Sequence, residues 1–400
     1  MAKIYPFSGT FPTDEHAQDV IAPPYDVLSR EEAQAIVDKN PKSFLRVTRS
    51  EVDMPLDIDT HSLPVYEEGA RRLEALIASG ILQGDEERFY LYMQTWRGRT
   101  QIGLMALCDT REYDNNLIKK HELTRPDKED DRTLHIETLN TQTGLVFLTY
   151  RDQYASVQAL LSEVLENTSS YWSATTDDAV QHSLTLIPTE YTLRLQKAFE
   201  QVESLYIADG HHRSAAASRV ALLRNREGST GYFLAGIFPD TQLEVMAYNR
   251  VVHDLNGHTE AAFFEKVREV YHIEDTQDQL PPARGQVTMY ISGLWYLLTP
   301  KHIPEDVVGC LDVSILQDGV LAPILGIENP RTDKRIDFVG GIRGPEALMK
   351  AVDEGAAVAF HMYPTGIDQL LNVADANRLM PPKSTWFEPK LRGGVLLHRF

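Results

Sequence analysis

The sequence predicts a mixed α/β (α+β) fold in two lobes, and three observations predict it. Helix-period and strand-period segments alternate along the whole chain, without the steady cadence of a doubly wound sheet. Two pairs of β-rich runs close on tight turns, at Arg97-Gly98-Arg99 and at Ser292-Gly293. The 400 residues are 42% hydrophobic and 24% charged, an ordinary globular composition long enough to bury a full-sized core.

In chain order, Ser29-Arg30-Glu31-Glu32 reads as a capping box that opens a helix to Lys39, stopped before Pro41. Residues 65–79 place Tyr66, Ala70, Leu73, Leu76 and Ile77 on one helical face, and Gly80 ends it. Residues 88–96 and 100–108 form the first hairpin. Ser204–Ala208 is a short buried strand, followed by Asp209-Gly210-His211-His212-Arg213 and an Ala-rich helix over 214–225. Strands follow at 231–238 and 243–248, and a second hairpin at 286–299. Helices are expected at 260–271, 312–325, 345–354 and 366–374, with strands at 335–339 and 356–362. The expected division is a core lobe over 1–255 and a C-terminal lobe over 256–400, with Pro281-Pro282 in a loop near the boundary.

Composition also excludes function classes. With 39 Lys+Arg against 58 Asp+Glu, the net charge of −19 argues against a general nucleic-acid binder, whose phosphate contacts need a basic surface. It leaves room for one anionic ligand in a local basic pocket. No apolar run approaches the ~18–20 residues of a membrane span, and the first residues lack the apolar stretch of a signal peptide. Two cysteines, Cys108 and Cys310, suit a reducing compartment and give no paired-Cys zinc site. A cytoplasmic location is expected. His-Glu-x-x-His, Gly-x-Ser-x-Gly and Gly-x-Gly-x-x-Gly are all absent.

Four segments carry candidate chemistry. In Ala208–Arg213, Gly210 permits a tight turn between a strand and a helix whose first N–H groups can hold a phosphate. His211, His212 and Arg213 add donors beside it, and Asp209 is a candidate Mg²⁺ ligand. The plainer reading makes Asp209 an N-cap and the histidines surface residues. Arg111–Glu137 holds 6 Lys+Arg and 8 Asp+Glu, either a solvated face or a site in which Glu122 is a general base and Arg125 a substrate contact. The tail from Arg378 to Phe400 carries five basic residues and one acid, a local +4. Within it Lys383, Ser384 and Thr385 resemble part of a phosphate loop, without Walker A spacing. The alternative is a strap with Trp386 and Phe387 packed on the core. In Ala22–Val27, Pro23 and Pro24 aim Tyr25 and Asp26, and Asp26 is a substrate contact or a second candidate base.

Together these segments, Ala-Pro-Pro-Tyr-Asp-Val (22–27), His-Glu-x-Thr (121–124), Ala-Asp-Gly-His-His-Arg (208–213) and Met-Pro-Pro-Lys-Ser-Thr-Trp-Phe-Glu-Pro-Lys (380–390), resemble the bacterial and archaeal domain-of-unknown-function family numbered one thousand and fifteen. The Asp-Gly-His-His-Arg turn is also similar to the phosphate-binding turn of the ParB/sulfiredoxin-like superfamily, which includes free-serine kinases, ParB nucleotidases and sulfiredoxins. That resemblance implies a ParB/sulfiredoxin-like core with large embellishments. It implies that Gly210, His211, His212 and Arg213 hold nucleotide phosphates with Asp209 near the metal. The expected function is a small-molecule kinase using Mg²⁺ with ATP or ADP, and free L-serine is the expected acceptor. The alternatives are a nucleotide hydrolase and a non-catalytic nucleotide-binding module. The expected partners are a nucleotide and a small-molecule substrate, with no membrane, no nucleic acid and a homodimer left open.

Overall fold

The computed structural model describes residues 2–400. The chain folds as mixed α/β in two compact units. One contains the residues up to Leu243 together with Pro389–Phe400, and the other is Glu244–Glu388. The last twelve residues therefore belong with the first unit, whereas a single cut at 255/256 would have put them in the second.

In the first unit an eight-stranded sheet runs in the order Ile118–Lys119, Leu205–Asp209, Val146–Tyr150, Tyr232–Pro239, Arg99–Asp109, Tyr90–Trp96, Gln181–Leu186, Trp172–Thr175. It mixes parallel pairs (Leu205–Asp209 with Ile118–Lys119, Tyr232–Pro239 with Val146–Tyr150) with antiparallel ones. The missing strand–helix–strand cadence of the sequence agrees with this pattern. The hairpin turn at Arg97 and Gly98 has φ of 48° and 76°, the left-handed pair that matches strand twist. The sheet core includes Leu91, Leu104, Leu148, Phe199, Ile207 and Phe233. A four-stranded sheet, Leu82–Arg88, Phe7–Pro12, Leu397–Arg399, Thr141–Gln142, ties the C-terminus into the unit. The helix Arg30–Lys39 opens on Ser29 with both bonds of the capping box in place. The helix Leu63–Ala78 buries Tyr66 and Leu73, and Gly80 follows it at φ 76°.

The helix after the Asp209 turn starts earlier than expected. It spans His211–Leu223, because Gly210 at φ 99° reverses the chain within one residue. His211, His212 and Arg213 are thus its first turn and not a loop ahead of it. The strand Phe7–Pro12 and the helix Ala155–Asn167 lie outside the sequence reading.

In the second unit a six-stranded antiparallel sheet runs Tyr271–Thr276, Leu294–Pro300, Val287–Ile291, Val358–Met362, Tyr248–Val252, Ile336–Gly340. The helix Glu346–Asp353 packs Leu348 against Val251, Tyr290, Trp295 and Ala359. The strand expected at 243–248 is two strands, Glu244–Met246 and Tyr248–Val252, in different sheets. The helix expected at 312–325 is an α-helix, Asp312–Leu316, that widens into a π-helix, Gln317–Leu321. No helix among the described residues is long and apolar enough to cross a membrane.

Candidate functional site

The strand Leu205–Asp209 delivers Asp209 to the site. Its register against Val146–Tyr150 shifts between Ile207 and Asp209, a bulge that re-aims the last side chain. Asp209 Oδ2 lies 3.4 Å from Lys390 Nζ and 3.3 Å from Arg213 Nη2. Burial alone would raise the Asp209 pKa, but Lys390 and Arg213 outweigh it and hold the carboxyl well below its ordinary range. The N-cap of the following helix is Gly210, with no side-chain cap bond, so Asp209 is not the cap that the plainer reading made it.

Two glycines make room for Arg213. A Cβ on Gly210 would sit 3.0 Å from Arg213 Nε, and one on Gly144 would sit 3.2 Å from Arg213 Cδ. The guanidinium also donates to the Leu145 carbonyl. The side chain therefore packs closely against both glycines, and at Gly210 the left-handed backbone disfavours any other residue.

Lys390 is aimed from behind. Gln94 Nε2 donates to the Lys390 carbonyl at 2.9 Å, and Gln101 Nε2 donates to Gln94 Oε1 at 2.7 Å. Gln94 is fully buried and Gln101 nearly so, and they face each other across the hairpin. Two buried amides in a strand pair leave polar groups that need partners, and here the Lys390 backbone is one. Further along, Gly393 and Ala22 exchange backbone bonds at 3.0 and 2.9 Å, which anchors the Pro23-Pro24-Tyr25 segment beside the tail.

Next to this turn lies a narrow cleft of about 40 Å³ bordered by Tyr25, Arg132, His135, Gly144, Arg213 and Arg392, among others. Three arginines on its wall are largely buried, their side chains 11%, 13% and 7% exposed for Arg132, Arg213 and Arg392. Each has a carboxylate: Arg132 bonds Asp131 at 2.6 Å, Arg213 bonds Asp209, and Arg392 bonds Asp178. Arg132 also stacks over the Tyr25 ring, 4.1 Å from its centroid. Tyr25 is pushed up to about 12, mainly by burial, and stays a neutral phenol. With Lys390, four cations face these three carboxylates and Asp26, whose charge also acts on Tyr25 and Arg213.

The histidines form a second group. The His211 and His121 rings meet edge to face at 4.4 Å, and the His121 backbone N–H donates to His211 Nε2 at 3.4 Å. Burial, and then the neighbouring His121, pushes the His211 pKa well down, so the ring is neutral. With Nε2 accepting, its proton sits on Nδ1, which faces Glu122 Oε2 at 4.0 Å. His121 is lowered to about 4, again by burial. His212 Nε2 accepts from the Arg125 backbone N–H at 3.1 Å. Burial lowers its pKa, and the nearby Asp26 charge opposes that shift. Asp26 also acts on Arg213, so it is close enough to share this electrostatic environment.

The first unit thus brings Asp26, Glu122, Asp209, Gly210, His211, His212 and Arg213 to one neighbourhood. Arg125 reaches it only through its backbone, since its guanidinium pairs with Asp127 at 2.7 Å on the surface. Lys383, Ser384 and Thr385 belong to the second unit. There the Ser384 hydroxyl donates to the Pro381 carbonyl at 2.6 Å, and Thr365 Oγ1 donates to the Ser384 carbonyl at 2.9 Å. Trp386 and Phe387 form a strand paired with Glu244–Met246. No group of three or more His, Cys, Asp or Glu side chains among the described residues could hold a metal ion. Asp209, the expected Mg²⁺ ligand, has its Oδ2 shared by two cations. The donors present do not fit a resident metal site.

Sequence reasoning missed Lys390, Arg132, Arg392 and the Gln94–Gln101 pair as site residues. Lys390 and Arg392 lay inside the basic tail, and Arg132 inside the charged segment, but charge density alone does not separate a buried arginine from a solvated one.

Solved structures with a similar course of chain include a free serine kinase mutant in complex with ADP, 10% identical, covering 71% of this chain and 87% of that one at a TM-score of 0.36. SbnI with a C-terminal truncation from Staphylococcus aureus is 12% identical, with 72% and 85% covered and a TM-score of 0.40. A conserved hypothetical protein from Pyrococcus furiosus is 10% identical, with 71% and 90% covered and a TM-score of 0.35. No curated protein sequence matches the chain. A family profile, described as Protein of unknown function (DUF1015), matches residues 4–314, and the chain belongs to that family.

Proposed function

We propose that the first unit binds a nucleotide and transfers its terminal phosphoryl group to the hydroxyl of a small molecule, free L-serine being the acceptor. The observation that carries this reading is the cleft wall of Arg132, Arg213 and Arg392 beside the Asp209–Arg213 turn, where buried guanidinium groups adjoin a helix N-terminus. The ParB/sulfiredoxin-like resemblance of that turn selects serine as the acceptor to assay.

In this reading the first-turn N–H groups of the helix His211–Leu223 and the Arg213 guanidinium hold phosphate oxygens. Arg132 and Arg392 offset charge as the phosphoryl group moves. Lys390 keeps Asp209 ionised and fixed. Glu122 accepts the hydroxyl proton, or Asp26 does; the neutral His211, with its Nδ1–H toward Glu122, orients that carboxylate. Mg²⁺ enters only as the counter-ion of the nucleotide phosphates. The narrow cleft must widen to admit a nucleotide.

The test incubates purified protein with serine, Mg²⁺ and either ATP or ADP. Formation of O-phosphoserine is the expected result. Failure with both donors overturns the substrate assignment, and release of inorganic phosphate without serine would make the protein a nucleotide hydrolase.

A further inference from the structure

The second unit holds a cavity of its own, of about 250 Å³, on whose wall are Arg250, Gln317, Leu321, Phe338, Pro381 and Pro382. Arg250 lies in the strand Tyr248–Val252, between two neighbouring strands, and is 3% exposed. Its guanidinium donates to the carbonyls of Tyr248 and Lys383, the latter at 3.2 Å, and its carbon sits 5.4 Å from the Phe338 ring centroid. No carboxylate pairs with it among the described residues. Burial lowers its pKa to about 10, so it stays charged at neutral pH.

A buried cation without a counter-ion is unfavourable, and its remaining N–H donors call for an acceptor. The surroundings fit one. The π-helix Gln317–Leu321 widens the chain on the cavity wall, and such turns recur at binding sites. Leu321, Phe338 and the two prolines are apolar. Glu328 and Arg331 line the same cavity from exposed positions. The Lys383 carbonyl reaches Arg250 from a left-handed residue, φ 57°, which gives the Pro-Pro-Lys-Ser motif a role in holding the guanidinium.

We propose that this cavity binds a small α-amino acid with an apolar side chain: its carboxylate on Arg250, its ammonium toward Glu328, and its side chain against Leu321, Phe338 and the prolines. The site goes beyond the phosphotransferase reading and does not depend on it.

The test uses the full chain with L-leucine, acetate and inorganic phosphate as probes at millimolar concentration, read by equilibrium binding and by thermal shift. L-Leucine is expected to bind saturably and raise Tm, acetate to bind more weakly, and phosphate not to bind. Arg250→Met should lose at least about tenfold in L-leucine affinity, the loss of one charge-assisted contact. Glu328→Gln, on the surface, should weaken L-leucine and leave acetate unchanged, and it serves if Arg250→Met fails to fold. Arg213→Met, in the first unit, should bind L-leucine as the native chain does even if phosphoryl transfer is lost or was never present. No binding of L-leucine, phosphate binding as well as L-leucine, or unchanged affinity in Arg250→Met or, where that variant fails to fold, in Glu328→Gln overturns the proposal.

Discussion

The two units bury arginine in opposite ways. In the first, Arg132, Arg213 and Arg392 each lie against an aspartate. In the second, Arg250 has two backbone carbonyls and an aromatic ring but no acid. A paired guanidinium is locked in place by its carboxylate, and an incoming anion must share or displace that partner. An unpaired one keeps its full charge for a ligand. The first arrangement suits positioning of groups around a reaction, and the second suits binding.

The largest effect that tests this contrast is on stability. Asp131→Asn leaves Arg132 buried without its counter-charge and should cost about 3–5 kcal/mol in denaturant unfolding. Removing Arg250, which has no such partner and loses only two carbonyl contacts, should cost less. Equal and large losses in both would erase the distinction. The Asp131 carboxyl is held down at about 2, against burial, by Arg132, Tyr66 and His61. Its folded pKa lies below the ordinary 3.8, so its contribution is complete above pH 4 and fades as pH falls through about 2. Asp131→Asn should flatten that acid limb.

Next in size, Arg213→Met should lower phosphoryl transfer by about 10²–10³-fold, the usual loss for one donor aimed at developing charge. A change of only a few fold would take the Asp209 turn out of the chemistry. His212→Ala tests the other side of the same turn on the same scale.

A smaller effect belongs to the second unit. Burial raises Asp312 to about 6, although its carboxylate accepts the Gly285 N–H at 3.0 Å. Here the folded state binds the proton more tightly than the unfolded state. Stability therefore falls as pH rises from about 4 to about 6 and is level above that. Asp312→Asn keeps an acceptor for Gly285, removes the slope, and should gain up to about 2–3 kcal/mol at neutral pH. Thermal unfolding across that range reads both.

The smallest is positional. Gln94→Leu removes the donor on the Lys390 carbonyl and should reduce turnover by about tenfold, roughly 1.4 kcal/mol of barrier, with KM little changed. A fall in Tm with unchanged kcat would make the Gln94–Gln101 pair structural only.

Local signals carried far. Ser29 and Glu32 wrote the capping box, Arg97-Gly98 and Ser292-Gly293 wrote the two hairpins, and Asp209–Arg213 marked the strand-to-helix turn. These are near-neighbour effects, set by φ preference and side-chain-to-backbone bonds a few residues apart. The helix start at His211 was missed because one left-handed glycine suffices for the reversal where a longer loop was expected.

By itself the sequence determined the mixed α/β class, the two hairpins, the turn that presents Asp209, and the resemblance to the family whose profile matches residues 4–314. Only tertiary structure decided which charges are buried and with whom. Arg125 and Arg132 sit seven residues apart in one charged segment, yet one guanidinium pairs on the surface and the other lines a cleft. Lys383 and Lys390 share one motif, yet they belong to different units. The sign of a charge is written in the residue, but its solvation is set by contacts hundreds of positions away, such as Gln94 with Lys390 and Arg392 with Asp178. That is why the net charge of −19 could argue against a polyanion surface but could not locate the buried cations of the cleft wall.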